Sequence, residues 1–289
     1  MDVSIVIVSW QVKEQLKNCL TSIYKETKNL EFEVFVIDNN SSDSTVEMVL
    51  NNFSKVHLIA NKSNLGFAKA CNQGIQRSKG KKVLILNPDT EIRDNAVKKI
   101  YNFMSNNPDC GIAGCKIKNE DGSVQPSVRR FPDILSHILI LLKLHNFFPS
   151  FKPLGKYHFN DFDYNTTQIV DQVMGAFYML NRDMLKKVGI FDEHFYIWYE
   201  EVDLCKRAIE KGWKTYYIHE ATVMHLKGVS FGKANVIKKQ IIFNRSLLYY
   251  FFKHKNIVSY FILLIIYPIS ISLSFLVQIV GYKKIRKDI

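Results

Sequence analysis

The first ninety residues alternate short aliphatic runs with amphipathic stripes, and that alternation leaves few folds open to the chain. Residues 32–37 and 56–59 read as two short strands, and residues 3–9 (VSIVIVS) and 83–86 are β-branched or aliphatic and hardly alternate. This is the pattern of strands covered on both faces in a parallel sheet. Between them, Leu16, Leu20, Ile23 and Tyr24 make one helical stripe and Val46, Val49, Leu50 and Phe53 a second, while residues 65–74 open a third helix. Strand–helix repetition of this kind predicts an α/β fold with a doubly wound, mainly parallel sheet.

In such sheets ligands bind beyond the carboxyl ends of the strands. The fourth run stops at Asn87-Pro88, because proline cannot donate to the ladder, and delivers Asp89 and Glu91 to that edge. Two carboxylates there can hold a hard divalent cation, which in turn can hold a diphosphate; equally, Asp89 or Thr90 can simply cap the helix that begins near Asn95. Asp38, at the tip of the second strand among amides and serines, can bond a base or a ribose, or close an Asx-turn. After the first strand stands Ser9-Trp10-Gln11-Val12-Lys13 with no glycine fingerprint, which disfavours a dinucleotide dehydrogenase.

The second half is patterned around acids. Residues 111–117 read as a strand followed by a hairpin-like turn at 119–122, and the apolar block 134–148 reads as a buried helix or as a patch against lipid. Residues 173–180 read as one strand, in which Gly175 lets a ligand approach closely. In the segment 191–207 the acids Glu200, Glu201 and Asp203 are walled by Phe195, Trp198 and Tyr199, at the start of a helix expected near 201–202. Partial burial would raise a carboxylate's proton affinity toward that of a general base, although acids also suit a helix N-terminus for their own sake. Two short strands are expected at 214–218 and 221–224, with His225 at the end of the second, either structural or part of a metal shell.

Taken in order, VSIVIVSW (3–10), VIDNNSSD (36–43), NLGFAKACNQG (64–74), LNPDT (86–90), FDEHFYIWYEEVDLCKR (191–207) and VMHLKGVS (223–230) resemble the family 2 glycosyltransferases of the GT-A fold, and within them the bacterial rhamnosyltransferase-like branch. The resemblance implies a nucleotide-sugar donor bound by Ser9, Asp38, Asn40, Asn64, Gly66, Asn72 and Asn87, with Asp38 on the base. It implies Mg²⁺ or Mn²⁺ at Asp89, Glu91 and His225, a catalytic base in Glu200-Glu201-Val202-Asp203, and an acceptor near Gly175, Trp198 and Tyr199. Glutamate, at Glu201, stands where the family usually carries aspartate; its extra methylene moves the carboxylate by about 1 Å, a displacement that matters for rate. Glu200 and Asp203, on one face if the helix starts early, are candidates to orient the acceptor. The implied reaction is inverting, metal-dependent transfer of a sugar, rhamnose from dTDP-rhamnose before a UDP-sugar, to a lipid-linked or saccharide acceptor in cell-surface polysaccharide biosynthesis. A non-catalytic nucleotide-sugar-binding or membrane scaffold is the alternative that the glutamate favours.

A net charge of +12 over 289 residues calls for an anionic partner. No basic motif with interleaved aromatics points to nucleic acid, which leaves phosphate-rich substrates and lipid. From Asn256 to Tyr282 there is no charged residue, whereas basic clusters flank the stretch at 253–255 and 283–287. About 20 residues would span a bilayer. With Pro268 near its middle and positive charge at both ends, the stretch is expected to lie bent or re-entrant on the inner leaflet of a bacterial cell membrane. A pair of helices packed on the domain is the other reading. The expected division is a GT-A domain over 1–240, with a nucleotide-sugar half (1–118) and an acceptor and catalytic half (169–230), then a membrane-associating tail (241–289). The odd count of five cysteines without a CxxC pair, and an N-terminus that enters a strand at once without a signal peptide, suit the cytosol.

Overall fold

The computed structural model describes residues 1–147, 151–226 and 236–279. The first four long strands are β1 (Val3–Ser9), β2 (Phe32–Asp38), β3 (Val56–Ala60) and β4 (Lys82–Leu86), joined by α1 (Lys13–Glu26), α2 (Thr45–Asn52) and α3 (Phe67–Arg77). They run parallel in the order β3-β2-β1-β4. Successive residues of β1 feed opposite cores: Val3, Ile5 and Ile7 pack with α1, while Val6 and Val8 pack with α3. Two covered faces explain why β1 and the run 83–86 are almost wholly aliphatic, whereas β3, at the edge of the sheet, is half-buried and carries the exposed His57.

Beyond β4 the sheet becomes mixed. β5 (Thr90–Ile92), α4 (Ala96–Asn106), β6 (Cys110–Lys118), β7 (Val128–Arg129), α5 (Ile134–Leu141), α6 (Lys152–His158), β8 (Gln168–Val170), β9 (Gln172–Val173), β10 (Phe177–Asn181), α7 (Arg182–Val188), α8 (Glu200–Glu210) and β11 (Lys214–His225) follow. The path continues β4-β10-β6-β11-β5, with β10 antiparallel to both neighbours and β5 and β8 antiparallel to β11, while β7 and β9 pair separately.

Three expectations change in detail. The run 173–180 is interrupted at Met174-Gly175-Ala176, so β9 and β10 belong to different sheets. The two short strands of 214–224 are one strand whose register shifts between Ile218 and Thr222. The block 134–148 is α-helical only over α5 among the described residues, with Ser136, His137 and Leu141 buried and Leu135 and Phe147 exposed.

The tail forms an antiparallel helical hairpin, α9 (Val236–His254) and α10 (Ile257–Ile279). Asn256 caps α10 by accepting from the Ser259 amide at 2.8 Å. Leu247, Tyr250, Phe251 and Leu263 of the hairpin join Leu141, Phe195, Tyr199 and Val202 in a third apolar core, so the tail packs on the acid-bearing segment. Helix α10 runs through Pro268 without interruption and is long and apolar enough to cross a membrane, with a mean hydropathy of 2.1 over Ile257–Leu276. The 283–287 basic cluster lies outside the described residues. All five cysteines are free and buried.

Candidate active site

Parallel register places Ser9 directly beside Asp38 at the carboxyl edge of the sheet. Both are buried, and among the described residues Ser9 Oγ and Asp38 Oδ1 have no hydrogen-bond partner, while Asp38 Oδ2 accepts from the Ser41 amide at 2.8 Å. The Asx-turn is therefore present and uses one oxygen, leaving the other for a ligand. Buried polar atoms without partners are uncommon, and at a strand edge they mark where a ligand's donors belong.

Asp89 and His225 meet across the β5–β11 pairing. Oδ1 of Asp89 lies 3.3 Å from His225 Nε2, within ion-pair reach if the imidazole is protonated, yet not aligned as a hydrogen bond. Gln125 Oε1 accepts from His225 Nδ1 at 3.1 Å, which fixes the ring and leaves the Nε2 lone pair facing Asp89 in the neutral tautomer. A buried carboxylate oxygen and an imidazole nitrogen, held from behind, fit two ligands of a divalent cation. Glu91 does not join them. Thr90 is the residue opposite His225, and Glu91 opposes Met224, so the two-residue period of the strand sends Glu91 to the other face. There it pairs with Arg93 at 2.7 Å. Among the described residues no group of three or more His, Cys, Asp or Glu converges as a metal shell.

The remaining expected donor contacts divide. Asn40 is exposed, with φ of 66°, and the Asn87 amide is used internally, donating to Ala176 O at 3.1 Å. Asn64, Gly66 and Asn72 hold the fold. Asn64 Oδ1 accepts from the Gly66 amide at 3.0 Å and from Tyr196 OH at 2.9 Å. Gly66 has φ of 86°, and a Cβ there would stand 2.6 Å from Tyr196 O. Asn72, buried, donates to Phe191 O at 2.9 Å and to Glu193 at 3.0 Å, tying α3 to the acidic segment. Gly175, by contrast, has open space where a side chain would be.

The acids stand on a strained turn. Trp198 and Tyr199 both take left-handed backbone (φ of 66° and 70°), which bulky residues adopt only when the surroundings impose it. Ser246 of α9 supplies part of that constraint, donating to Ile197 O at 2.9 Å, and Tyr199 O receives the Asp203 amide at 2.8 Å. Helix α8 consequently starts at Glu200, one residue earlier than expected. The outer oxygens Oε2 of Glu200 and Glu201 are buried without partners. Burial pushes both carboxyl groups up; contact with Glu201 raises Glu200 further, whereas Glu200 and the charge of Arg129 lower Glu201. Both carboxyl groups are therefore held toward the protonated form, and the two titrate as one interacting pair.

Asp203 faces the other way. It is fully buried, 2.7 Å from Arg207, 2.8 Å from Lys253 and 2.7 Å from His254, so its oxygens are spent on α8 and α9 and do not meet the acceptor side. Lys253 also reaches Asp192 at 2.7 Å.

Two residues of the site were not singled out from sequence. Gln125 and Arg129 sit four apart on the segment leading into and along β7, the first behind His225 and the second beside Glu201. Arg129 is exposed to solvent and lies 6.0 Å from the centre of the Tyr157 ring. One short segment therefore backs the histidine and brings a cation to the acids.

The family model for "Glycosyl transferase family 2" matches residues 4–189. This chain is a family 2 glycosyltransferase. The transferase is 27% identical over 240 residues to the N-acetylglucosaminyl-diphospho-decaprenol L-rhamnosyltransferase of Mycobacterium tuberculosis strain H37Rv, covering 79% of this chain and 77% of that one. It is also 27% identical over 231 residues to the dTDP-rhamnosyl transferase RfbF of Shigella flexneri, covering 77% and 68%. In fold it is similar to the crystal structure of S. aureus TarS residues 1–349, with a TM-score of 0.55 at 15% identity over 87% of this chain and 72% of that chain. The central mainly parallel sheet and that neighbour agree with the GT-A fold expected from the motifs.

Proposed function

We propose that this transferase moves rhamnose from dTDP-rhamnose, with inversion, to a saccharide on a lipid-linked acceptor in cell-surface polysaccharide assembly. The two relatives named for rhamnosyl transfer, one of them acting on a decaprenol-linked sugar, support the donor and the acceptor class. The observation that carries the chemistry is the buried acid pair at the start of α8, Glu200 and Glu201, whose Oε2 atoms have no hydrogen-bond partner among the described residues.

Asp38 Oδ1 and Ser9 Oγ accept and donate to the nucleoside. Asp89 and His225 would hold Mg²⁺ or Mn²⁺, whose chemistry when bound is to screen the diphosphate and stabilise it as a leaving group. Glu201 takes the proton of an acceptor hydroxyl as that oxygen bonds the anomeric carbon and the bond to the diphosphate oxygen breaks. Trp198 and Tyr199, with the open space at Gly175, form the acceptor side. Asp203 is assigned to holding α8 rather than to the acceptor.

The exposed apolar face of α10, with Val258, Phe261 and Ile265 at 64%, 54% and 71% exposure, together with exposed Leu135, Phe147 and Phe151, supports attachment to the inner leaflet. Residues 236–279 would then form the described part of a membrane-associating tail. The reading is tested by offering the purified protein a panel of nucleotide sugars with and without Mn²⁺ or Mg²⁺, plus a polyprenyl-diphosphate sugar. Metal-dependent transfer from dTDP-rhamnose is expected; turnover of a UDP-sugar alone would replace the donor, and no turnover of any would refute the assignment. Sedimentation with anionic vesicles is expected to retain the protein, and Ile265→Glu to release it.

A further inference from the structure

At the amino edge of the parallel strands, opposite the end that carries Asp38 and Asp89, lies a cavity of about 390 Å³ lined by Lys79, Lys81, Lys82, Arg182 and Lys186, with Asp183 as its single acid. Lys82 opens β4 and pairs with Asn181, the last residue of β10, so the cavity is on the order of 15 Å from Asp89 along the strand. Most of the lining charge is already placed. Lys81 contacts Asp2 at 3.3 Å, Lys186 contacts Asp183 at 2.8 Å, and Arg182 donates to Gly80 O and, at 2.8 Å, to Ser78 Oγ. Lys82 is the exception: its stem is buried and the residue only 9% exposed, but its ammonium is open to solvent, with no carboxylate within 4.0 Å and no hydrogen-bond partner among the described residues. Burial lowers its proton affinity, and Asp183 acts on it only at a distance. Side chains of this length are seldom buried unless paired. Tyr101 and Ser105 of α4 complete the walls, their hydroxyls donating to Asp2 Oδ1 at 3.0 Å and to Tyr101 O at 2.8 Å.

We propose that this cavity is a second anion site, independent of the transfer reaction, that binds the phosphate group of a small soluble phosphorylated molecule through Lys82. Four lysines and an arginine against Asp183 and Asp2 supply the field, and the unpaired ammonium of Lys82 supplies the direct contact. The volume falls within the range of small-molecule pockets, enough for a sugar-phosphate-sized body.

The test uses the full chain in EDTA, in an Asp89→Ala background that disables the diphosphate end, with inorganic phosphate and pyrophosphate as probes and thermal stabilisation as readout. Phosphate is expected to raise the melting temperature in a dose-dependent way, and Lys82→Met to weaken the apparent affinity at least roughly tenfold, the loss of one charge-assisted contact. Should Lys82→Met fold poorly, Lys79→Glu, at an exposed rim position, is expected to weaken phosphate binding and steepen its loss with salt. On otherwise native protein, neither variant should alter donor turnover. The proposal is overturned if phosphate does not stabilise the Asp89→Ala protein, or does so equally in both lysine variants. It is overturned also if Lys82→Met lowers binding to phosphatidylglycerol vesicles while leaving phosphate stabilisation intact, since the site would then serve a lipid headgroup.

Discussion

Replacing Asp203 by alanine should unlatch the tail hairpin from the catalytic helix. Its carboxylate is fully buried and shared by Arg207, Lys253 and His254, whose side chains are 18%, 27% and 6% exposed. Removing one member of a buried ionic network leaves the partners unpaired, at a cost of about 3–5 kcal/mol. For a chain of this size each kcal/mol shifts the melting temperature by about 2–4 °C, so a loss of roughly 6–20 °C is expected. Lys253→Met should cost less, because Asp203 keeps Arg207 and His254, and Asp192 keeps Tyr249 at 3.0 Å. The pH dependence carries a signature of its own. Burial alone would raise Asp203, but bonding to His254 and the charge of Arg207 hold its carboxyl below the usual carboxylate range. A depressed folded-state value contributes stability above the unfolded value, about 3.9, and that contribution is lost as pH falls through the folded one. Denaturant titrations of wild type and Asp203→Ala between pH 7 and pH 3 should therefore converge on acidification. A melting temperature within about 2 °C of wild type at pH 7, or a stability difference that does not shrink with acid, would refute the latch.

Three further outcomes are expected. Glu200→Gln should stabilise the fold at pH 8 more than at pH 4: a buried acid whose proton affinity is raised favours the folded state below its unfolded value and opposes it as pH rises, so chemical denaturation should show a gain that grows with pH. The rate of transfer should fall on acidification with a midpoint above the ordinary glutamate value of about 4.3, while donor affinity does not follow it, because burial raises Glu201 as well. Gln125→Ala should weaken Mn²⁺ binding by about 10-fold or more in a titration free of acceptor, since it removes the bond that orients His225.

Periodicity made the donor end of the fold legible. Aliphatic runs located β1 and β4, and Asp38 and Asp89 stand out because they lie at or just past the carboxyl ends of β2 and β4, whereas Ser9 comes only from the family resemblance. Parity undid Glu91: two residues beyond Asp89 it looked like a second ligand, but pairing with β11 turns it away from His225. Asn64, Gly66 and Asn72 were implied by the family resemblance as donor contacts, yet their partners Tyr196, Phe191 and Glu193 lie more than 100 residues on. The same distance hid Asp203's cations, since Lys253 and His254 sit in a stretch that read only as the approach to a membrane tail. Gln125 and Arg129 fall in a segment without helical or strand period, and only the β7–β9 pairing carries them to the site.

The most direct test of the account is Glu201→Gln, assayed for both transfer and donor binding in the presence of Mn²⁺. Transfer should fall by about 10²–10⁴-fold, the range for losing a positioned base, with the affinity for the nucleotide sugar unchanged. Transfer at or near the wild-type rate would contradict the assignment of Glu201 and move the base to another group of the site.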